Sequence, residues 1–421
     1  MPSKFERLQK LAHSGNAEAQ LDVALAYYYG RGVQSNLSKA FKYCLTSAML
    51  GDSVAQFNVG LSYTFGDGTK KNLKKAFQWF EKSAAQGYAP GISSLGECYY
   101  RGEGVKKDIK QAIKLFKKSA RLNDSFGLYS LGWFYSRGRG ITQNNRKAFE
   151  LFKKAAETGN TKAVAELGWA YDEGAGTEVN RRLAHKWLLV AAKAGDAEAA
   201  CWTGYAYRDG IGTKINRRLA YKWLLVSAQA GDDDAQLSVG YARFYGEGIK
   251  KDWPEAVKWY RKAAKAGNSS AQYNCGLCYK NGTGVKKNIN TAIRWFELAA
   301  KQNHLDAQSW LGEIYSDDEY GKKDIRKAIS WYRKAASMGN AVSQTSLGVL
   351  YHNGHGVKRN FKKAARWYRL AAGQNDGEAQ YFLGLCYRNG EGVPNNKHLA
   401  KIWLAKAAKN GENRAAIALK K

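Results

Sequence analysis

The sequence predicts an all-α solenoid of eleven 36-residue helix-pair repeats with half-repeats at its ends. Two observations carry this prediction. A string of the type Leu-Gly-x-x-Tyr returns without a slip, its glycine at Gly60, Gly96, Gly132, Gly168, Gly204, Gly240, Gly276, Gly312, Gly348 and Gly384, while Ala24 holds the place one period earlier. An Asn or Asp also falls at one phase of every unit: Asn36, Asn72, Asp108, Asn144, Asn180, Asn216, Asp252, Asn288, Asp324, Asn360 and Asn396. A fixed period of this length marks a stacked array, because one unit alone cannot bury its apolar face.

Residues 1–15 read as a polar, amphipathic capping helix, 16–411 as the eleven repeats, and 412–421 as a partial repeat. Within each repeat a first helix starts at an Ala-Gln pair such as Ala55-Gln56 and runs to a tyrosine three residues past the key glycine. Its apolar residues are spaced to fall on one helix face. A Gly-x-Gly follows, as in Gly66 and Gly68. The first of these glycines supplies the positive φ of a helix C-cap, and the pair makes a tight turn. The phased Asn or Asp is then the N-cap of the second helix. That helix carries an alanine (Ala40, Ala76, Ala112 and on to Ala400) and, three residues later, a large apolar residue that is usually Trp. Trp79, Trp187, Trp223, Trp259, Trp295, Trp331, Trp367 and Trp403 all hold this position and are expected in the repeat core. A glycine in mid-helix costs about 1 kcal/mol relative to alanine. Ten such glycines imply close approach, with a Trp or Tyr ring from a neighbouring helix filling the space.

Composition restricts the function. The 421 residues include 67 Lys and Arg against 36 Asp and Glu, a formal net charge of +31. Such a balance favours an acidic or anionic partner. It is uneven: residues 1–159 carry +13, residues 160–267 only +4, and residues 268–411 carry +12. No run of eighteen apolar residues appears, and the first residues lack a signal-peptide core, so no membrane span is expected and the compartment expected is the cytoplasm.

The run Ala-x-x-x-Leu-Gly-x-x-Tyr, Gly-x-Gly-Val, Asp/Asn-x-x-Lys-Ala-x-x-Trp-Tyr-x-Lys-Ala-Ala resembles the Sel-one-like repeat, a relative of the tetratricopeptide repeat. The resemblance covers residues 16–411, and Gly246 to Gly267 stands nearest to its consensus. It implies a right-handed α/α superhelix with first helices on the concave side and second helices on the convex side. It further implies a non-enzymatic adaptor or scaffold. One repeat departs from the pattern: Asp318 and Tyr320 replace the two turn glycines, so that turn must be re-formed around Gly321, and the change is either drift at a tolerant loop or an acidic contact point or weak cation site.

Candidate chemistry is sparse. Cysteines at 44, 98, 201, 275, 278 and 386 fall in helix phase and read as small core residues, Cys275 and Cys278 included. Some secreted members of the family carry regular paired cysteines, and their absence here suits a reducing compartment. His352 and His355 read as turn residues rather than metal ligands, and His185 as a helix-surface residue. No catalytic triad, zinc motif or phosphate loop is present, so no enzyme activity, cofactor, metal or small-molecule substrate is expected.

Two residue sets remain as binding candidates. Paired cations precede the second helices: Lys70-Lys71, Lys106-Lys107, Lys250-Lys251, Lys286-Lys287, Lys322-Lys323 and Lys358-Arg359. They form a basic ridge that is either a solvated face or a track for phosphates or an acidic protein. On first helices of the middle repeats, aromatics appear that the repeat does not require: Trp133, Trp169, Trp202, Tyr205 and Tyr241, extended by Phe244 and Tyr245. Glu166, Asp172, Glu173 and Asp209 flank them. Given the resemblance these aromatics face the concave side, where they would be hot spots for a partner protein or contacts between adjacent first helices. The function expected is a scaffold holding an acidic partner protein in the groove. The rivals are non-specific nucleic-acid binding through phosphates, and an inhibitor, immunity or regulatory subunit of an enzyme or toxin.

Overall fold

A computed structural model describes residues 4–420; residues 1–3 of the expected capping helix and residue 421 of the expected partial repeat lie outside the described residues. The chain divides into two compact units, Met1–Ile215 and Asn216–Lys421. The first unit holds α1 (Lys4–His13), α2 (Ala17–Tyr29), α3 (Leu37–Met49), α4 (Ser53–Phe65), α5 (Leu73–Ala85), α6 (Ala89–Arg101), α7 (Ile109–Arg121), α8 (Ser125–Arg137), α9 (Asn145–Glu157), α10 (Thr161–Glu173), α11 (Arg181–Lys193) and α12 (Ala197–Asp209). The second holds α13 (Arg217–Ala230), α14 (Asp233–Tyr245), α15 (Trp253–Ala266), α16 (Ser269–Asn281), α17 (Ile289–Lys301), α18 (Leu305–Ser316), α19 (Ile325–Ser337), α20 (Ala341–Asn353), α21 (Phe361–Gly373), α22 (Gly377–Asn389), α23 (Lys397–Lys409) and α24 (Asn413–Ala418). All described secondary structure is helical, paired with a 36-residue period as expected.

The local signals act where they were read. Every phased Asn or Asp caps its second helix: Asn36 Oδ1 accepts the Lys39 N–H at 2.9 Å, and Asn288 Oδ1 accepts that of Thr291 at 2.9 Å. Gly66, at φ 88°, closes α4 by donating its N–H to the Ser62 carbonyl at 2.8 Å. Most first helices are capped too, by residues such as Asp52 and Asn268, an unforeseen regularity that α6 breaks at Tyr88. The second turn glycine does more than turn: a Cβ on Gly284 would lie 2.5 Å from the Trp253 carbonyl oxygen, in the preceding repeat. Successive repeats therefore touch backbone to backbone there. Where Tyr320 takes that place, α18 ends in an extended Asp317 and the turn re-forms around Gly321 at φ 61°.

The core differs from expectation by one residue. The mid-helix glycines admit the residue after the phased tryptophan. A Cβ on Gly60 would sit 2.5 Å from Phe80, one on Gly240 2.5 Å from Tyr260, and one on Gly312 2.5 Å from Tyr332. Phe, Tyr and Leu fill these contacts, and no Trp does. Of the eight phased tryptophans only Trp259 is buried; the rest are half-buried, so their assignment to the core is corrected. Several instead lie beneath a lysine one helical turn on, as Lys82 lies 4.3 Å over Trp79 and Lys334 4.4 Å over Trp331. Both phased positions are large and apolar, and the way α5 lies on α4 turns Phe80 inward.

A glutamine relay ties repeats together. Gln56 in α4 donates to the Ala48 carbonyl of α3 at 3.2 Å and accepts from Gln86 at 2.8 Å. Gln272 repeats the motif with Ala264 and Gln302, and Gln380 with Ala372 and Asn410. In the third to sixth repeats Ile92, Leu128, Val164 and Ala200 occupy this phase, so the Ala-Gln pair is not universal.

Candidate functional site: an aromatic cleft on the first helices

The glycine periodicity fixes which residues of α8, α10 and α12 face away from the second helices. Gly132 and Gly168 are turned against Phe152 and Leu188, so the residues after them, Trp133 and Trp169, lie at the edge of the core and remain half-buried. Trp133 packs edge-on against Tyr100 and Phe134. Trp169 and Trp202 meet edge to face, ring centroids 6.4 Å apart. Trp202 Nε1 donates to Asp172 Oδ2 at 3.2 Å, and the other Asp172 oxygen pairs with Arg181. This network holds the Trp202 ring as a fixed support for Trp169. Tyr205 is half-buried, with the Arg208 guanidinium 4.6 Å from its centroid. Asp209 is paired with Arg208 at 2.7 Å.

Beside Trp169 lies a cleft of about 480 Å³. Phe149 and Phe152 of α9 form part of its floor, and Glu166, Glu173 and Glu198 bring three carboxylates to its wall. Arg137 is the one arginine or lysine in the lining. Burial raises the Glu166 carboxyl above the ordinary glutamate range; Arg137 opposes this, and Glu198, Glu173 and Asp196 reinforce it. Among the described residues Glu166, Glu173 and Glu198 enter no ion pair. Sequence spacing pointed to Trp169, Glu166 and Glu173, but not to Arg137 or Glu198, which come from neighbouring helices.

In the second unit, Tyr241 and Tyr245 stack at 6.0 Å, and Phe244 lies 4.9 Å from Tyr245 and 6.4 Å from Trp253. Tyr245 is 59% exposed. A comparable cluster that sequence reasoning missed sits in the first two repeats. Tyr28, Tyr29 and Phe65 are exposed around a cleft of about 170 Å³ floored by Leu25, Phe41 and Leu61. The aromatic pair ending α2, Tyr28-Tyr29, is the signal that could have found it, since it matches Phe244-Tyr245 in phase.

The basic ridge is exposed at all twelve positions, from Lys70 and Lys71 to Lys358 and Arg359, in the loops that lead into second helices. Lys107 lies over Tyr100, Lys251 over Trp253 and Arg359 over Phe361, while Lys323 pairs with Asp318 at 2.6 Å.

The remaining candidates are structural. Burial pushes the Cys44, Cys98 and Cys386 thiols up to about 12 and Cys278 to about 11, with Cys275 also raised. Such thiols are not reactive nucleophiles. His352 engages Asn353 at 3.1 Å and Glu391 at 3.0 Å, and His355 is exposed beside it. His185 is not a surface residue: it is half-buried, edge-on to Tyr207 at 4.9 Å, and burial lowers its pKa. No helix among the described residues is long and apolar enough to cross a membrane.

The family model of the Sel1 repeat matches eleven consecutive stretches, from residues 17–52 to 377–412. No curated protein matches the chain. Among solved structures, c5321, a protective antigen present in uropathogenic Escherichia coli strains and displaying an SLR fold, is 33% identical. The match covers 99% of this chain and 90% of that one, with a TM-score of 0.86. A Sel1 repeat protein from Oxalobacter formigenes is 26% identical over 75% of this chain and 91% of its own, with a TM-score of 0.49. Immunity protein Pa5087 from Pseudomonas aeruginosa is 18% identical, over 59% of this chain and 81% of its own, with a TM-score of 0.29, too low to bear on function.

Proposed function

Since the chain belongs to the Sel1 repeat family, we propose that it is a non-enzymatic scaffold that holds a partner protein against the first-helix face of its repeats. The observation that supports this reading is the Trp169 cleft, where aromatic rings the repeat does not need flank a hollow large enough for a side chain. Trp and Tyr are among the residue types enriched at the hot spots of protein interfaces. In this reading residues 1–15 cap the array, 16–411 form it, and 412–421 close it. The exposed basic ridge adds steering toward acidic segments of the partner, which raises the association rate more than the affinity. The compartment that suits five buried, reduced thiols is the cytoplasm.

The test uses the full chain. Partner proteins captured from the source organism with and without nuclease are identified by mass spectrometry, and the affinity of the recovered complex is then measured. Trp169→Ala should weaken binding about thirtyfold, the effect of a 2 kcal/mol hot spot, and leave the melting curve within a few degrees of wild type. Loss of all captured protein on nuclease treatment would promote phosphate binding by the ridge over the scaffold reading. Retention of full affinity by Trp169→Ala would remove the cleft from the binding site.

A further inference from the structure

The Trp169 cleft has a charge opposite to that of the protein that carries it. Against a chain of net charge +31, its wall offers three carboxylates and a single guanidinium. A carboxylate that is half-buried and unpaired is costly, and its carboxyl titrates high for that reason. The aromatic wall is held in place by the Trp202–Asp172–Arg181 network rather than left to rotate. Among the described residues no lysine or arginine lies over the Trp169 ring, although the chain places cations over many of its other rings.

One of those other rings shows what such a wall takes. In the second unit Lys280 of α16 lies 3.9 Å over Trp310. Nearby, Glu313 is raised by burial and drawn down in part by the Lys280 charge. There the chain supplies, from its own sequence, the cation that an aromatic face and a half-buried carboxylate attract. Such contacts are worth about 0.5–2 kcal/mol depending on how far they are desolvated.

We propose that the Trp169 cleft takes a cationic side chain, lysine or arginine, of the bound protein, lodged between the Trp169 ring and the carboxylates of Glu166, Glu173 and Glu198. The inference rests on the scaffold reading and gives it a chemistry. The partner must present a basic residue to this cleft, whatever acidic segments it shows to the ridge. Binding also relieves the repulsion among the three carboxylates, so it is favoured at neutral pH and weakened by salt.

The probe is N-acetyl-arginine amide, with N-acetyl-citrulline amide as its neutral isostere, titrated into the full chain while indole N–H resonances are followed by NMR. The Trp169 signal is assigned by its disappearance in Trp169→Phe. The arginine derivative should shift that signal at millimolar concentration and the citrulline derivative should not. Glu166→Gln with Glu198→Gln should weaken the response about tenfold, the effect of one charge-assisted contact. Exposed Glu173→Gln provides a variant that cannot disturb the core should the double variant fold poorly. An equal response to both probes, no response, or an unchanged response in the carboxylate variants would each overturn the proposal. A chain that captures its partner yet ignores the arginine derivative refutes the cleft chemistry alone. One that takes the derivative but captures no protein refutes the scaffold reading on which it rests.

Discussion

Gln86 donates its side-chain amide to Gln56 across 2.8 Å, and Gln56 passes its own amide to the carbonyl of Ala48, 3.2 Å away. Two side chains thereby join three helices, α3, α4 and α5, and the buried Gln56 amide finds a partner on either side. The same relay runs through Gln302, Gln272 and Ala264. Replacing Gln272 with Leu keeps the volume, and Leu128 shows that the phase accepts it, but removes both the bond to the Ala264 carbonyl and the acceptor of Gln302. A loss of about 1 kcal/mol is expected, readable as a lower urea midpoint with an unchanged slope.

Gly60→Ala forces a methyl into the Phe80 ring. Overpacking of this kind costs about 1–3 kcal/mol. Thermal unfolding of the variant should begin earlier, and pairing the change with Phe80→Leu should restore part of the loss. An additive double variant would show that the two residues are not in the contact described.

Leu224 is buried while its neighbour Trp223 is half-buried. Leu224→Ala should therefore cost about 2–5 kcal/mol, and Trp223→Ala less, despite the larger side chain lost. Melting of the two variants side by side decides it; a reversed order would return the phased tryptophans to the core.

Acid should loosen α18. The His304 ring accepts the Ala307 N–H at its Nδ1, 3.4 Å away, and stacks on Tyr273. Burial holds its pKa below the ordinary imidazole value, although the nearby Asp306 charge pulls the other way. The folded chain then binds this proton less readily than the unfolded chain. Its stabilisation is complete above the ordinary imidazole range and is lost as pH falls through that range. His304→Asn keeps a cap acceptor and removes the titration, so the gap between the two melting temperatures should change across that interval. A gap that stays constant with pH would rule out this role for His304.

Retention on heparin or nucleic acid should be strong at low salt and fall steeply as salt rises, with no preference among nucleic-acid sequences, because exposed cations displace the counterions condensed on the sulfates or phosphates. Neutralising Lys286 and Lys287 together should reduce the salt slope. A complex with one sequence that survives high salt would instead indicate base readout.

The parts of the molecule legible in sequence are those whose cause is local. Asn288 caps α17 by reaching a backbone N–H three residues on, and Gly66 ends α4 by its own φ. Both effects repeat with the chain. What was not legible depends on another element. Trp79 and Phe80 are adjacent and equally apolar, and only the packing of α5 on α4 chooses between them. Gly284 reads as half of a turn until Trp253 of the preceding repeat is seen beside it. Arg137 and Glu198 carry no signal of their own, since α8 and α12 bring them to a cleft centred on α10.

The backbone contact made by the second turn glycine has a consequence for how such a chain can change length. At Gly68, Gly104, Gly176, Gly212, Gly248, Gly284 and Gly392 the surface met is the start of the preceding second helix, main chain against a missing side chain. A joint made of main chain does not discriminate between one neighbour and another. A block of 36 residues, cut out or copied between two such glycines, would leave matching joints on both sides, whereas Gly140 and Gly356 meet isoleucine side chains instead. Unequal crossing-over within the gene would then lengthen or shorten the protein by whole blocks, and the resulting chains would still stack. Tyr320 marks a boundary where that freedom is restricted.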